Sequence, residues 1–146
     1  MKRILFFCAG IFVTMLVISG CDVIKGLPTN TSGGLFSLNG NWRMESSNDN
    51  NALAGTSITV YPIAGNGTIT TIQNNTYCIR ENDVLWKSIN SNKNGAFSIS
   101  NLVNSCSSSL LYKPATITVI TNDEVRLSGT TTNGANLVQT WRRVAK

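Results

Sequence analysis

The sequence predicts an all-β domain of eight short antiparallel strands over residues 40–146. Segments with period-two alternation or many β-branched residues recur along the chain, and Gly, Asn or Pro interrupts them every 8 to 15 residues. No window keeps apolar residues at helical spacing for more than about two turns. Eight strands with hairpin-length links suit an up-and-down meander that closes into a barrel, which leaves no free edge. A seven- or eight-strand sandwich has nearly the same pattern, so periodicity leaves both architectures open.

The expected strands follow the breaks in chain order. The clearest hairpin joins Thr116–Thr121 to Val125–Ser128 through Asn122–Glu124, because Asn and Asp tolerate the positive φ of a tight turn. Two connections, Asn75–Glu81 and Asn101–Leu111, leave room for a turn of helix. The predicted strands are Asn41–Ser46, Thr56–Pro62, Gly67–Ile72, Val84–Asn90, Ala96–Leu102, Ala115–Thr121, Glu124–Thr131 and Leu137–Val144.

The composition excludes several kinds of catalytic and metal site. The chain has 146 residues and no His, which removes Ser-His-Asp and Cys-His catalysis, His-ligated zinc and His-ligated haem. Only 13% of residues are charged, below the roughly 25% of an average soluble domain, so Asn, Thr and Ser must supply much of the polar surface. Glu81 and Asp83 have no aromatic cluster or second carboxylate pair beside them in sequence. We therefore expect no enzymatic activity, no cofactor and no metal.

The N-terminal segment has the parts of a secretory signal. Lys2 and Arg3 precede an apolar run from Ile4 to Ile18, which small residues follow. That run is shorter than the roughly 20 residues of a spanning helix. We expect residues 1–20 to be removed, which leaves 10 basic and 7 acidic residues and a net charge of +3. The mature chain then has no basic stripe of the kind that binds nucleic acid, and we expect no such partner.

The segment Ile18–Cys21 resembles the bacterial lipobox, in which an aliphatic residue and two small residues precede a Cys. The resemblance implies that a diacylglyceryl group modifies the Cys21 sulfur and that the chain is cleaved just before it. Two or three acyl chains would anchor the protein in a membrane of the bacterial envelope, since one chain alone binds reversibly. We expect the anchor to lie in the outer membrane. Asp22 is similar to an inner-membrane retention signal of enteric bacteria, so the inner membrane remains an alternative location. Residues 21–39, rich in Gly, Ser, Thr, Asn and Pro, are expected to form a flexible tether.

The first and last strands carry residues similar to those at the ends of lipocalin barrels. A Gly-x-Trp sequence, Gly40–Trp42, opens the first strand, and Trp141–Arg143 lies in the last, an arrangement that resembles the lipocalin or calycin superfamily. The resemblance implies a small eight-stranded antiparallel up-and-down barrel in which Trp42 fills the closed end. It also implies that an Arg of the last strand, either Arg142 or Arg143, packs across the indole in a cation–π arrangement.

The resemblance extends to the lipocalin-like lipoproteins of Bacteroidetes. These proteins have a lipobox, a short linker, the Gly-x-Trp strand, an aromatic-containing middle strand similar to Val84–Ile89, and an end similar to Gln139–Arg142. The resemblance covers nearly all of the mature chain. It implies one lipocalin-like barrel domain, residues 40–146, which follows the signal peptide (1–20) and the lipidated Cys with its tether (21–39).

The same resemblance implies a binding protein without catalysis. The barrel mouth would hold a small hydrophobic or amphipathic ligand, and Trp86, Phe97 and Tyr61 are the tentative ligand-binding residues. An eight-stranded barrel is just wide enough to hold one small ligand or to be filled by its own side chains. In the filled case, the protein would instead contact an envelope protein or a glycan through its Asn-, Thr- and Ser-rich loops.

The cysteines predict one disulfide. Cys8 lies in the signal and Cys21 is the lipidation site, which leaves Cys78 and Cys106 in an exported chain where oxidation is favoured. Two Cys residues without His do not form a structural zinc site, which needs four ligands. We expect Cys78 and Cys106 to pair and to stabilise a small domain with a limited core.

Overall fold

The computed structural model describes residues 36–61, 64–92, 95–106 and 109–145. Within them, eight strands pair in chain order and form one closed antiparallel barrel, in which β1 and β8 are neighbours. The predicted fold class is confirmed, and the sandwich alternative is wrong. The predicted signal peptide, Cys21 and most of the predicted tether lie outside the described residues. The strands are β1 Gly40–Ser47, β2 Ser57–Tyr61, β3 Asn66–Thr71, β4 Val84–Ser91, β5 Ala96–Asn104, β6 Leu111–Val119, β7 Glu124–Thr130 and β8 Asn136–Val144.

Pairing between the first and last strands closes the barrel. In the β1–β8 ladder, Trp42 lies opposite Arg143 and Met44 lies opposite Trp141. A register shift between Met44 and Ser46 interrupts this ladder, as bulges do where a barrel strand bends. Since each of the eight strands has a neighbour on both sides, none of them presents a free edge to another chain.

Alternation along the strands places apolar side chains inside the barrel. Phe97 and Ile99 in β5 are buried, and the residues between them are less so. The three Trp residues of the sequence, Trp42, Trp86 and Trp141, are each 0% exposed. Trp86 and Trp141 meet edge to face with ring centroids 4.9 Å apart, a geometry that aromatic pairs prefer. Large side chains therefore fill much of the interior.

Two of the four described residues before β1 pack against the closed end, although the sequence assigns them to the tether. Phe36 and Leu38 are each 3% exposed. The Phe36 ring centroid lies 6.3 Å from that of Trp42 and 6.1 Å from that of Phe97. Trp42 Nε1 donates a hydrogen bond of 2.8 Å to the Leu38 carbonyl oxygen, which satisfies its buried indole N–H. Phe36 and Leu38 are part of the core, because their side chains alternate onto one face.

Arg143, and not Arg142, packs across the Trp42 indole. Its guanidinium carbon lies 4.3 Å from the Trp42 ring centroid. Arg143 also donates from Nη1 to the Asn39 carbonyl at 2.6 Å and from Nη2 to the Ser37 carbonyl at 2.7 Å. Burial lowers the pKa of Arg143, but a guanidinium stays protonated at neutral pH. One side chain of β8 thus fastens both β1 and the segment that leads into it.

We expect Arg143→Gln to lower the free energy of unfolding by about 1–3 kcal/mol, because it removes a cation–π contact and two charge-assisted hydrogen bonds. Arg142→Gln is the matched control. Arg142 forms ion pairs with Glu45 at 2.7 Å and Glu124 at 3.4 Å, but its side chain is 55% exposed. Exposed pairs of this kind contribute roughly 0–1 kcal/mol. Urea denaturation followed by circular dichroism measures both losses, and equal losses would contradict the assignment of Arg143.

The sixth strand begins earlier than predicted. β6 starts at Leu111, whereas the sequence prediction starts at Ala115, because Pro114 reads as a strand breaker. In the structure, Pro114 lies opposite Ser100 in the β5–β6 ladder, and pairing between β6 and β7 starts only at Thr116. The missing N–H of Pro114 therefore deprives no β7 carbonyl of a donor.

The two connections expected to allow a turn of helix contain no α-helix where the structure describes them. β5 extends to Asn104 through the first part of the segment Asn101–Leu111, and residues 75–81 are mostly irregular, with a bend at Tyr77 and a turn at Glu81. The remaining strand predictions agree with the structure to within one or two residues at each end. Pro62, the predicted last residue of the second strand, lies outside the described residues.

The predicted hairpin between β6 and β7 is confirmed, but its turn differs from the expectation. Val119 lies opposite Val125 in the ladder. The N–H groups of Ile120 and Thr121 both donate to the Glu124 carbonyl at 3.0 Å, so the loop closes over more than two residues. Such loops are commonly built on type I turns, which need no positive φ at their two central residues. The expected positive φ at Asn and Asp is accordingly absent from this turn.

Tyr112 makes the free energy of unfolding depend on pH in the alkaline range. Its hydroxyl donates to the Val84 carbonyl at 2.7 Å, and burial, followed by the nearby Asp83 carboxylate, raises its pKa above the ordinary value of 10.0. The unfolded chain therefore loses this proton first, so the free energy of unfolding falls as the pH rises above about 10. We expect Tyr112→Phe to make that fall shallower in urea denaturation at pH 9 to 11. An unchanged slope would contradict the prediction.

Candidate functional site

The end of the barrel opposite Trp42 and Arg143 contains a pocket, here called the mouth pocket. It lies between the ends of several strands and the connections that cross them. Its lining surface is mainly apolar, as in small-molecule sites, although about half of the lining residues carry polar groups. The lining includes Ser47, Leu53, Tyr77, Asn101, Leu137 and Gln139.

Residues 48–56, here called the cover segment, connect β1 to β2 across the mouth. Leu53 points into the barrel and is only 2% exposed. Its φ is +65°, and the preceding Asn50 and Asn51 also have positive φ, at 49° and 52°. Asn tolerates this left-handed conformation, but Leu rarely adopts it, and such strain costs roughly 1–3 kcal/mol. The cover segment therefore holds an apolar side chain in the mouth in a strained backbone conformation.

The connection between β3 and β4 covers the mouth from a second side. Tyr77 donates from its hydroxyl to the Asp49 carboxylate of the cover segment. Ile79 is 1% exposed and belongs to the apolar core. The predicted disulfide between Cys78 and Cys106 is confirmed, with Cα atoms 4.8 Å apart. It fastens this connection to the segment that follows β5, so two covalently linked chain segments surround the mouth.

The inner wall of the mouth pocket carries buried polar groups. Asn101 and Gln139 are 3% and 5% exposed. Gln139 Oε1 accepts a hydrogen bond of 3.2 Å from Trp141 Nε1, so this amide oxygen and indole satisfy each other. In contrast, Asn101 Oδ1 and Trp86 Nε1 are buried without a hydrogen-bond partner. Buried polar atoms without hydrogen-bond partners are rare and destabilising. These two atoms therefore indicate a position where a further group can form hydrogen bonds.

The mouth pocket is small while the cover segment is in place. Its cavity volume, counted as the space that the centre of a water molecule can occupy, is about 10 Å³. A cavity needs roughly 10–15 Å³ by this measure to hold one water molecule. A larger ligand therefore has room only if Leu53 leaves the mouth.

The structure places the three tentative ligand-binding residues apart from one another. Trp86 is in the interior against Trp141, and Phe97 is 6% exposed in the core beside Phe36. Tyr61 is 58% exposed at the end of β2, in the part of that strand that pairs with the start of β1 at the closed end. Of the three, only Trp86 is near the mouth pocket, since it lies opposite a lining residue of that pocket in the β4–β5 ladder.

Sequence reasoning missed the polar residues of the mouth. Asn101 follows Phe97 and Ile99 in the inward alternation of β5, and Gln139 stands between Leu137 and Trp141 in that of β8. A polar residue at an inward position was therefore visible as an interruption of an apolar pattern. Leu53 carried no such signal, because its burial depends on the left-handed conformation of the cover segment.

Of the neighbouring acidic residues Glu81 and Asp83, Asp83 has a structural role. Asp83 Oδ2 accepts a hydrogen bond of 2.8 Å from the Arg80 backbone N–H, which closes a turn. The described residues contain no group of three or more Cys, Asp or Glu placed to hold a metal ion. In the same part of the chain, no helix is long and apolar enough to cross a membrane.

Comparison of the chain with known proteins finds no matching family, no matching curated protein and no matching solved structure. The features of the described residues that bear on function are therefore the closed barrel and its mouth. The mouth combines an apolar lining, a strained cover and a buried amide oxygen without a partner.

Proposed function

We propose that this chain is a lipid-anchored protein of the bacterial envelope that binds one small amphipathic molecule in the mouth pocket, without catalysis. The observation that carries the proposal is the Asn101 amide oxygen, which is buried in the pocket wall without a partner. An acceptor in that state favours any ligand that brings a donor to it. Apolar neighbours such as Leu53 and Leu137 suit the remainder of an amphipathic molecule.

Binding requires movement of the cover segment. Leu53 occupies the mouth, and its positive φ stores strain that is released when the segment moves outward. The segment is held by backbone hydrogen bonds from Leu53 to Asn74 at 3.0 Å and from Gly55 to Met44 at 2.8 Å. The ligand thus replaces an apolar side chain of the protein itself, which limits it to a molecule of comparable width.

The proposed lipid anchor, Cys21, precedes the point where the chain enters the barrel. Phe36 and Leu38 pack beside Trp42 at the closed end, so the chain enters the barrel there. Replacement of Cys21 by Ser is expected to abolish incorporation of radiolabelled palmitate and to release the protein from membranes. Continued labelling of Cys21→Ser would contradict the anchor.

A second candidate function is contact with an envelope protein or a glycan. The three buried Trp residues and the small mouth pocket favour it, because a filled barrel has little stored space for a ligand. The Asn-rich cover segment would then be the contact surface, with amide groups that hydrogen-bond to a protein backbone or to sugar hydroxyls.

Native mass spectrometry separates the two candidates. The full chain is purified in detergent from membranes of its own host and is released from the detergent micelle in the spectrometer. We expect a bound mass of a small molecule, which is lost in Asn101→Leu and kept in the matched control Asn122→Leu, whose side chain is exposed at the opposite end. An unliganded mass together with a copurifying protein or glycan would contradict the ligand and support the second candidate.

A further inference from the structure

We infer that Trp86 and Asn101 form a buried binding site for one hydroxyl-type group. When no ligand is bound, the group is a water molecule. When a ligand is bound, the group is an alcohol hydroxyl of that ligand. The water site stands on the geometry of the two residues alone. The ligand hydroxyl rests on the proposed function.

The two residues are direct neighbours with complementary unpaired atoms. Trp86 and Asn101 are Cα partners in the β4–β5 ladder, and both side chains are buried, at 0% and 3% exposure. Directly opposite residues of an antiparallel pair have Cβ atoms about 4.5–5.5 Å apart on the same face. Trp86 Nε1 is only a donor and Asn101 Oδ1 is only an acceptor, and neither has a partner. A group that accepts once and donates once satisfies both.

The neighbouring indole shows what happens where an amide oxygen is within reach. Trp141 Nε1 donates directly to Gln139 Oε1 at 3.2 Å. Trp86 makes no such bond, although Asn101 lies opposite it. Its position is fixed by the edge contact with Trp141 and by close packing near Gly67, where a Cβ would come within 3.4 Å of the Trp86 Cβ. A bridging group therefore completes a hydrogen-bonded arrangement that the side chains alone leave open.

The mouth pocket, which Asn101 lines, has room for a single oxygen-sized group. Asn101 lines the mouth pocket, where the volume open to water-sized centres is about 10 Å³. That volume is close to what one buried water needs. A carboxylate would place an acceptor against the amide oxygen, and an ether or hydrocarbon would bring no donor to it. The site therefore favours a group that both donates and accepts, as an alcohol hydroxyl does, over carboxylates, ethers and hydrocarbons.

The first experiment tests the water site in the ligand-free full chain in detergent micelles. Nuclear magnetic resonance detects magnetisation transfer between each Trp indole N–H and a long-lived bound water. We expect a water cross-peak at Trp86 and none at Trp42, whose indole N–H bonds to the Leu38 carbonyl. We also expect Asn101→Leu to remove the Trp86 cross-peak while the Trp42 resonance stays in place as a control for folding. No cross-peak at Trp86 in the unsubstituted chain would overturn the inference, as would a cross-peak that persists in folded Asn101→Leu.

The second experiment tests the ligand hydroxyl with two isomeric probes, 1-butanol and diethyl ether. Both accept a hydrogen bond, but only the alcohol donates one. We expect 1-butanol to displace the water cross-peak and to shift the Trp86 indole resonance. The ether should bind at least about 10-fold more weakly, because a site built to bond a hydroxyl rejects the analogue that lacks it. Equal binding of the two probes, or binding of neither, would overturn the alcohol specificity while the water site stands. A native ligand without a hydroxyl would do the same and leave the proposed function intact.

Discussion

Replacement of Trp42 by Ala is expected to lower the free energy of unfolding by about 3–5 kcal/mol, the range for loss of a large buried aromatic side chain. The indole is 0% exposed and contacts Phe36 and Arg143 at the closed end. Its removal leaves a cavity, an unpaired carbonyl at Leu38, and a guanidinium without its ring. Urea denaturation followed by far-ultraviolet circular dichroism measures the loss.

Two variants serve as controls for this prediction. Trp42→Phe retains an aromatic ring but loses the indole N–H, so we expect an intermediate loss. Tyr61→Ala removes an aromatic residue that is 58% exposed, and substitutions at such surface positions usually change stability by less than about 0.5 kcal/mol. A loss for Trp42→Ala no larger than that for Tyr61→Ala would contradict the role of Trp42 at the closed end.

Removal of the disulfide is expected to lower the free energy of unfolding by about 3–4 kcal/mol. The bond joins residues 28 apart in sequence, and the chain-entropy relation gives this magnitude for a loop of that length. The double variant Cys78→Ser, Cys106→Ser is compared with the unsubstituted chain in urea. Each single variant should lose about as much, since either one breaks the bond. A double variant within about 0.5 kcal/mol of the unsubstituted chain would contradict the prediction.

The disulfide variants also bear on the mouth. The bond holds the connection that carries Tyr77 and Ile79, and Tyr77 is hydrogen-bonded to Asp49 of the cover segment. Its loss should therefore speed amide hydrogen exchange in this connection and in residues 48–56 more than in the strands on the far side of the barrel. A uniform change across the barrel would argue against a local link between the two coverings of the mouth.

Strand content could be predicted from the sequence because each strand has its own local pattern. The alternation of Phe97 and Ile99 with Ser residues, and the β-branched run before Asn122, each indicate a strand without knowledge of its neighbours. Closure of the barrel was predicted from the family resemblance that rests on Trp42, Arg142 and Arg143. Which Arg packs on the indole depended on strand register, and a slip of one residue exchanges the two faces.

The errors arose where tertiary contacts override a local signal. Pro114 made the predicted sixth strand begin too late, although β7 does not need the missing N–H of Pro114. Phe36 and Leu38 lie in a segment whose composition is typical of a linker, and they are buried only because the closed end offers an apolar surface. Leu53 is similar, since its conformation depends on the hydrogen bond to Asn74 in another connection.

The candidate site was harder to predict than the fold. The aromatic residues that suggested a ligand, Trp86 and Phe97, belong to the core, because large apolar side chains in a small barrel are needed to fill it. The more informative residues are the polar ones at inward positions, Asn101 and Gln139. Only the structure distinguishes them, since one amide oxygen is satisfied by an indole N–H and the other is not.

The most direct test of the closed barrel is the pattern of short proton–proton distances between β1 and β8 in the nuclear Overhauser spectrum. The ladder places Trp42 opposite Arg143 and Met44 opposite Trp141, so cross-strand backbone contacts are expected at both pairs. The amides of these strands should also exchange as slowly as those of β6, which lies within the sheet on any arrangement. Absence of the cross-strand contacts, with fast exchange along the outer edges of β1 and β8, would show an open sheet and contradict the account.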